Sequence, residues 1–330
     1  MIYANVYINS YQLKNGLFPV KEGLLYTVDA DGLPMSFVGE RVSREELKAM
    51  KLLEEKDLVG AAEVLEEYLK KHPWNEEMWM RLARIYYSLN RAEDALYAAD
   101  ESLKRQPQLM DALTIKALNA IELGRIREAH QATDAMMAQN NLVPTAYYLK
   151  GLAYSMENKD KEAIDKLNMA LRYNPNYDQA LVLAGDILKR NGNFSQAIKP
   201  YSMVVQMKKA GEGTLLSLAD CYLRVKNNNA FHQIVELLQR DGKDHYGLSK
   251  VLIRADLLQQ KTMEAGRKLQ QIEYPENDAE IWTLLGMYEL QNGRRGTAGE
   301  YAEKALKINP GDFDANQLRR ALSSNQGGGK

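Results

Sequence analysis

A spacing of 34 residues recurs along this chain and constrains its fold more than any other feature. Pro73 and Pro107 lie 34 residues apart, and Pro175 follows Pro107 after twice that interval. Within the segments that end at such prolines, the same residue types return at the same offsets, which indicates one structural unit used repeatedly. The sequence therefore predicts an array in which each unit packs only on its neighbours.

Each unit pairs a large residue with a small one. Trp79 is followed four residues later by Ala83, and Trp282 is followed by Gly286 at the same distance. Residues four apart share one face of a helix, so the small side chain lets a second helix approach while the large one fills the space beside it. This pattern predicts a pair of helices in each unit.

A Gly or Asn near the middle of each unit predicts where its first helix ends, because both residues accept the left-handed conformation at low cost. These turn signals are Asn90, Gly124, Asn158, Gly192 and Gly293. The proline at the end of a unit stops the second helix and stiffens the link to the next unit.

With these offsets in place, the chain resembles the tetratricopeptide repeat family. In the second unit the matching residues are Trp79, Leu82, Ala83, Tyr86, Ala95, Ser102 and Pro107. In the last unit they are Trp282, Leu285, Gly286, Ala298, Ala305 and Pro310. The resemblance covers about residues 42–323 and implies an all-α helical solenoid.

We divide the chain into three predicted parts. Residues 42–312 form the tetratricopeptide repeat array, with about eight helix pairs and a degenerate stretch near 226–278. Residues 313–330 form a C-terminal capping helix and a flexible tail, because a terminal repeat needs a polar outer face. The predicted units begin near residues 42, 76, 110, 144, 178, 212, 246 and 279.

The first 41 residues differ from the array. Residues 2–8 alternate with period 2, and 24–28 and 35–38 are further strand candidates. An Asp- and Gly-containing turn separates the last two. We therefore predict a short β-structured N-terminal segment over residues 1–41 that serves as a cap or docking segment.

Composition and motifs argue against catalysis and against nucleic-acid binding. The chain has 43 Lys and Arg against 44 Asp and Glu, without the basic excess that nucleic acid favours. The four histidines and the single Cys221 are not spaced as metal ligands or as a nucleophile with its base. We expect no enzyme activity, no cofactor and no metal.

Location and assembly are less constrained by the sequence. No apolar stretch approaches the roughly 18 residues of a membrane span, so we expect no direct membrane insertion. No signal peptide is visible, so the default location is the cytoplasm. The sequence leaves the compartment and the oligomeric state open.

In the tetratricopeptide repeat family, the first helix of each pair lines the concave groove. The resemblance therefore implies a partner-binding groove formed by Met80, Arg84, Tyr87, Thr114, Leu118, Ile121, Tyr148, Leu152, Met156, Asp186 and Lys189. Met and aromatic side chains suit a surface that accepts a partner helix or an extended peptide. The predicted function is a non-catalytic protein–protein interaction scaffold.

Other interpretations fit the same residues. An apolar stripe at helical spacing belongs to the core more often than to a binding site, and residues 1–41 could fill the groove themselves through Tyr3, Tyr7 or Phe18. The chain could also be the repeat-containing segment of a larger membrane, secretion or assembly complex, or an accessory part of an enzyme. A strand edge near residues 2–8 could pair between chains.

Overall fold

The computed structural model describes residues 44–240 and 246–324, together with the backbone of 27–28 and 34–35. Seventeen helices lie within these residues. The chain divides into two compact units, Met1–Glu157 and Asn158–Lys330. In the part of the chain that the structure describes, no helix is both long and apolar enough to cross a membrane.

The first unit is a series of packed helix pairs. Each helix α1, α3 and α5 packs against the helix that follows it. In addition, α3 contacts α5, and α5 contacts α7, so these first helices lie side by side and form one face of the unit. The helices are α1 (Arg44–Glu54), α2 (Leu58–Lys71), α3 (Glu76–Ser88), α4 (Ala92–Leu103), α5 (Met110–Glu122), α6 (Ile126–Gln139) and α7 (Pro144–Met156).

The second unit repeats this arrangement. Its helices α9, α11, α13 and α15 each pack on the next helix in the chain, and each also contacts the next first helix. The last helix, α17, packs against both α15 and α16. The helices are α8 (Asp160–Tyr173), α9 (Asp178–Arg190), α10 (Phe194–Gln206), α11 (Glu212–Arg224), α12 (Asn228–Arg240), α13 (Tyr246–Leu258), α14 (Thr262–Gln271), α15 (Ala279–Gln291), α16 (Arg295–Ile308) and α17 (Phe313–Ser323).

The small residues of the repeat lie where helices meet. Ala83 and Ala95 in the first unit, and Ala163 and Ala298 in the second, are 0 % exposed. At the equivalent position Gly185, an added Cβ would lie 2.6 Å from the Tyr201 ring. A larger residue at these positions would push the paired helices apart, which explains the regular return of Ala and Gly.

The predicted turn positions adopt the left-handed backbone. Asn90, Gly124, Asn158, Gly192 and Gly293 all have positive φ, between 56° and 79°. This confirms that the midpoint Gly and Asn residues end the first helices.

In the degenerate stretch near residues 226–278 the helices still pack in pairs, although the Gly and Asn turn residues are missing. Lys226 and Gln260 take the left-handed position there, with φ of 59° and 60°. Helix α12 packs against α11, and α14 packs against α13. The helix pair therefore persists where the sequence pattern has faded.

The predicted β-structured N-terminal segment is wrong. The residues described before α1 show only β1 (Thr27–Val28) and β2 (Pro34–Met35), two-residue strands that pair antiparallel. A hairpin of this length is far below what stabilises an independent sheet, and the fold is all-α. The strand candidate at 2–8 and the groove plugs Tyr3, Tyr7 and Phe18 lie outside the described residues.

Candidate functional site

A cavity in the first unit brings together four of the predicted groove residues. Helix α3 supplies Arg84 and Tyr87, and α5 supplies Thr114 and Leu118. We call this cavity the first groove; it encloses about 340 Å³. Its full lining is Leu53, Leu58, Arg81, Arg84, Ile85, Tyr87, Ser88, Asp111, Thr114, Ile115 and Leu118.

The first groove has an apolar floor and a charged rim. Arg84 of α3 forms an ion pair with Asp111 of α5, and the two side chains are 28 % and 53 % exposed. The Thr114 hydroxyl donates to the backbone carbonyl of Met110 at 2.8 Å, so it is satisfied within its own helix. Tyr87 is 43 % exposed, so part of its side chain is accessible to solvent.

The other predicted residues of this unit lie elsewhere. Met80 and Ile121 are buried in the core, as the alternative interpretation of the apolar stripe allowed. Tyr148 and Leu152 are half-buried on α7, while Met156 at the end of α7 is 56 % exposed. None of the α7 residues lines the first groove.

A second cavity lies entirely within the second unit and contains the remaining two predicted residues, Asp186 and Lys189. We call it the second groove; it encloses about 680 Å³. Its residues come from helices α9, α10, α11, α13, α15, α16 and α17 and from the loops before α15 and α17. Its lining is Asp186, Lys189, Arg190, Phe194, Asp220, Arg224, Arg254, Pro275, Asn277, Asp278, Ala279, Glu280, Ile308, Asn309, Gly311, Asp312, Phe313 and Asp314.

Buried charges dominate the second groove. Asp220 is 2 % exposed, and both of its carboxylate oxygens accept from Arg224 Nε at 3.1 Å. Arg254, 5 % exposed, donates from Nη1 to Asp220 at 3.3 Å and lies 2.8 Å from Glu280. Lys189 Nζ lies 3.7 Å from Asp220. A buried charge is stable only when it is paired in this way.

This pairing sets the protonation state of Asp220. Burial raises its pKa, but the positive charges of Arg254, Arg224 and Lys189 outweigh burial and lower the pKa to about 2. Burial lowers the pKa of Arg254, and the charges of Asp220 and Glu280 raise it above its ordinary value. The network is therefore ionised at neutral pH.

The beginning of α17 reaches back into the second groove from the end of the chain. Arg224 donates from Nη1 and Nη2 to the two carboxylate oxygens of Asp314 at 2.8 and 2.5 Å. The Phe313 ring packs edge-on against Phe194, with centroids 5.4 Å apart. An added Cβ at Gly192 would lie 2.4 Å from the same Phe313 ring.

Most of the residues of the second groove carry no local signal in the sequence. Arg224 and Asp314 are 90 positions apart, and the partners of Asp220 come from three different helices. The carried-over groove positions identified Lys189 and Asp186, but not the arginines beside them. A run of charged residues on successive first helices is the pattern that could have indicated the cluster.

Comparison with known proteins identifies the repeat directly in two places. Family models described as tetratricopeptide repeat match residues 52–118 and 279–312. A crystal structure of a tetratricopeptide repeat protein from Parabacteroides merdae superposes with a TM-score of 0.50 at 18 % identity. That match covers 84 % of this chain and 97 % of the other.

Two curated proteins are similar over part of the chain. TPR repeat-containing protein MJ1428 of Methanocaldococcus jannaschii is 25 % identical over 160 residues, which are 46 % of this chain and 28 % of that protein. Human protein O-mannosyl-transferase TMTC1 is 22 % identical over 156 residues, or 45 % of this chain and 18 % of that protein. The chain thus spans less than a third of the length of either relative.

Proposed function

Because the chain is a tetratricopeptide repeat protein, a type of helical scaffold that generally holds other proteins, we propose that it binds a segment of a partner protein in the first groove. The observation that carries the proposal is the convergence of Arg84, Tyr87, Thr114 and Leu118 on one cavity. These residues come from two different repeats, and each was expected at a groove position.

The first groove suits an apolar side chain of a partner peptide or helix. Its volume of about 340 Å³ falls within the range of known binding clefts. Leu53, Leu58 and Ile85 provide apolar contacts, while Arg84 and Asp111 at the rim offer both charges to a peptide backbone. Tyr87 is a residue type enriched at the centres of protein interfaces. We leave Met80 and Ile121 out of the contact surface because neither lines the first groove.

We infer that the chain acts without chemistry of its own. Its single cysteine, Cys221, is buried, and burial raises the pKa of the thiol to about 12. A thiol of that pKa is protonated at neutral pH and is a poor nucleophile.

The test compares two exposed tyrosines of one repeat. Tyr87 lies in the first groove on α3, whereas Tyr97 lies on the second helix α4 and is 59 % exposed. A partner is captured from the native source with the wild-type chain and identified, and its Kd is then measured for Tyr87→Ala and Tyr97→Ala. We expect Tyr87→Ala to weaken binding by roughly tenfold or more, and Tyr97→Ala to leave it nearly unchanged.

Equal effects of the two substitutions would contradict the assignment of the first groove, as would no effect of either. Circular dichroism of both variants separates lost binding from lost folding. Because Tyr87 is substantially exposed, its removal should change the free energy of unfolding by less than about 1 kcal/mol.

A second candidate is a repeat-containing segment within a larger assembly or an accessory part of an enzyme. The match to 18 % of the length of an O-mannosyl-transferase favours it. Western blotting of the native cell with an antibody against this chain distinguishes the two candidates. A band well above 37.5 kDa under denaturing conditions would show that the repeats belong to a longer polypeptide, and a larger species on a native gel alone would show a non-covalent assembly.

A further inference from the structure

We propose that Arg224 and Arg254 in the second groove form a recognition site for an aromatic–acidic segment of a partner protein, and that Phe313 and Asp314 occupy this site as an internal ligand. The proposal concerns the second unit alone and does not depend on the first groove. The partner segment would carry an aromatic residue immediately before an Asp or Glu, as α17 does.

The contacts of α17 define the chemistry of the site. Arg224 donates hydrogen bonds from both terminal nitrogens to Asp314, and this bidentate geometry selects a carboxylate. The guanidinium of Arg224 also lies 4.4 Å from the centre of the Phe194 ring. The Phe194 ring in turn packs against the ring of Phe313. One surface therefore binds a carboxylate and an adjacent aromatic ring together.

The site is held in place by residues beneath it. Asp220 accepts hydrogen bonds from both Arg224 and Arg254 and fixes the two guanidinium groups next to each other. Such pre-organisation lowers the ordering cost when a carboxylate binds. Arg254 Nε has no hydrogen-bond partner within the described residues, although Asp314 Oδ2 lies 3.4 Å away. The internal ligand thus leaves one buried donor that a better placed carboxylate would satisfy.

The other carboxylates of the second groove have partners of their own. Asp186 accepts a hydrogen bond from the Tyr201 hydroxyl at 2.6 Å. Asp278 accepts from Tyr246 and Lys250, both at 2.8 Å, and Lys250 also pairs with Glu280. Asp312 caps α17 by accepting from the backbone N–H of Ala315 at 2.7 Å. Glu280 also lies 2.8 Å from Arg254 Nη1, so the groups that face an incoming acid are Arg224 Nη1 and Nη2 and Arg254 Nε.

Helix α17 is anchored separately from its first residues. Ala315 is buried against Ala305 and Leu306 of α16, and Leu318 is buried beside Gly286 of α15. Phe313 and Asp314 instead contact the earlier helices α10, α11 and α13. A shift of these two residues would open the site without removing the anchor. The cavity of about 680 Å³ beside them leaves room for a partner segment.

The test uses the full chain and a short probe derived from its own sequence. The probe is a fluorescein-labelled peptide of residues 309–316, which contains Phe313 and Asp314 but not the Leu318 anchor. Fluorescence anisotropy gives its Kd for the wild type and for Asp314→Asn. We expect Asp314→Asn to bind the peptide about tenfold more tightly than the wild type, because the internal competitor is weakened.

Two further variants, each built on Asp314→Asn, show whether the gain depends on the arginine site. Adding Arg224→Gln should abolish the gain in peptide affinity, because the two charge-assisted hydrogen bonds from the guanidinium to the carboxylate are lost. Adding Arg240→Gln, which changes an exposed arginine of α12 outside the second groove, should preserve it. A probe with Asn in place of Asp314 should bind about tenfold more weakly to the Asp314→Asn chain.

Equal affinity of the peptide for the wild type and for Asp314→Asn would overturn the proposal. Equal affinity with and without Arg224→Gln would do so as well, since binding would then lie elsewhere. Thermal unfolding followed by circular dichroism checks that each variant is folded. If Asp314→Asn fails to fold, Phe313→Ala weakens the same internal ligand and replaces it in every comparison.

Discussion

Both grooves are lined largely by the first helices of the helix pairs, but the charged side chains of one are exposed and those of the other are buried. In the first groove, the Arg84–Asp111 pair lies at an exposed rim above apolar side chains. In the second groove, Asp220 and Arg254 are buried and belong to a network of several acids and bases. The second groove also holds Asp314 of α17, whose carboxylate accepts from Arg224.

This difference shows that the residues that hold the helices of a repeat together are distinct from those that give a groove its chemistry. The small residues that set helix spacing, such as Ala83 and Ala298, are buried in both units and fix the same pairing. Groove positions on the first helices take no part in that spacing and can carry an exposed apolar surface or a buried ionic one. The two grooves should therefore differ in energy as well as in composition.

The largest expected difference comes from removing one arginine from each groove. Arg254→Ala removes the buried cation that Asp220 and Glu280 share. Arg224 and Lys250 remain beside these acids, but one compensating buried charge is lost, and we expect the free energy of unfolding to fall by about 3–5 kcal/mol. Arg84→Ala breaks an exposed pair, and we expect a loss of about 0.2–1 kcal/mol. Urea denaturation followed by circular dichroism measures both losses. Similar losses in the two variants would show that the charges of the second groove are as well solvated as those of the first.

The sequence predicted the elements whose cause is local. The turn at Asn90 was predictable because Asn tolerates positive φ, and the closing helix from Phe313 was predictable from the position of Pro310. Lys226 and Gln260 occupy the same kind of turn, although neither Lys nor Gln is a residue type that predicts a positive φ. There the packing of the flanking helices imposes the backbone conformation, and no local pattern records it.

Sequence reasoning failed where long-range contacts decide the structure. Residues 24–28 and 35–38 were strand candidates separated by a turn, but the pairing at Thr27–Val28 is too short to form a β-structured segment. The return of Asp314 to Arg224 depends on how several repeats stack between them, which spacing alone does not give. Four of the predicted groove residues line the first groove together because their helices, α3 and α5, belong to adjacent repeats and contact each other.

A pair of glycines gives the second contrast. Gly124 in the first unit and Gly192 in the second both have positive φ, of 70° and 75°, but only Gly192 lies against a side chain, that of Phe313. Gly124→Ala should cost about 1 kcal/mol from backbone strain alone. Gly192→Ala should cost about 3 kcal/mol, because the new methyl group also displaces the Phe313 ring. Equal losses in thermal or urea unfolding would indicate that Phe313 moves aside freely.

The smallest expected difference between the two grooves is in how each contributes to the loss of stability at low pH. Asp220 has a folded-state pKa of about 2, below its ordinary value of 3.8, so its ionised form stabilises the fold. That stabilisation is fully present above about pH 4 and is lost as the pH falls through 2, which corresponds to roughly 2 kcal/mol at most. We expect the wild type to lose stability over this range more steeply than Asp220→Asn, in urea denaturation at pH 6, 4 and 2.5. Parallel losses in the two proteins would mean that the ionisation of Asp220 contributes nothing to holding the second groove together. A steeper loss in the wild type would assign part of its acid sensitivity to the buried network that the first groove lacks.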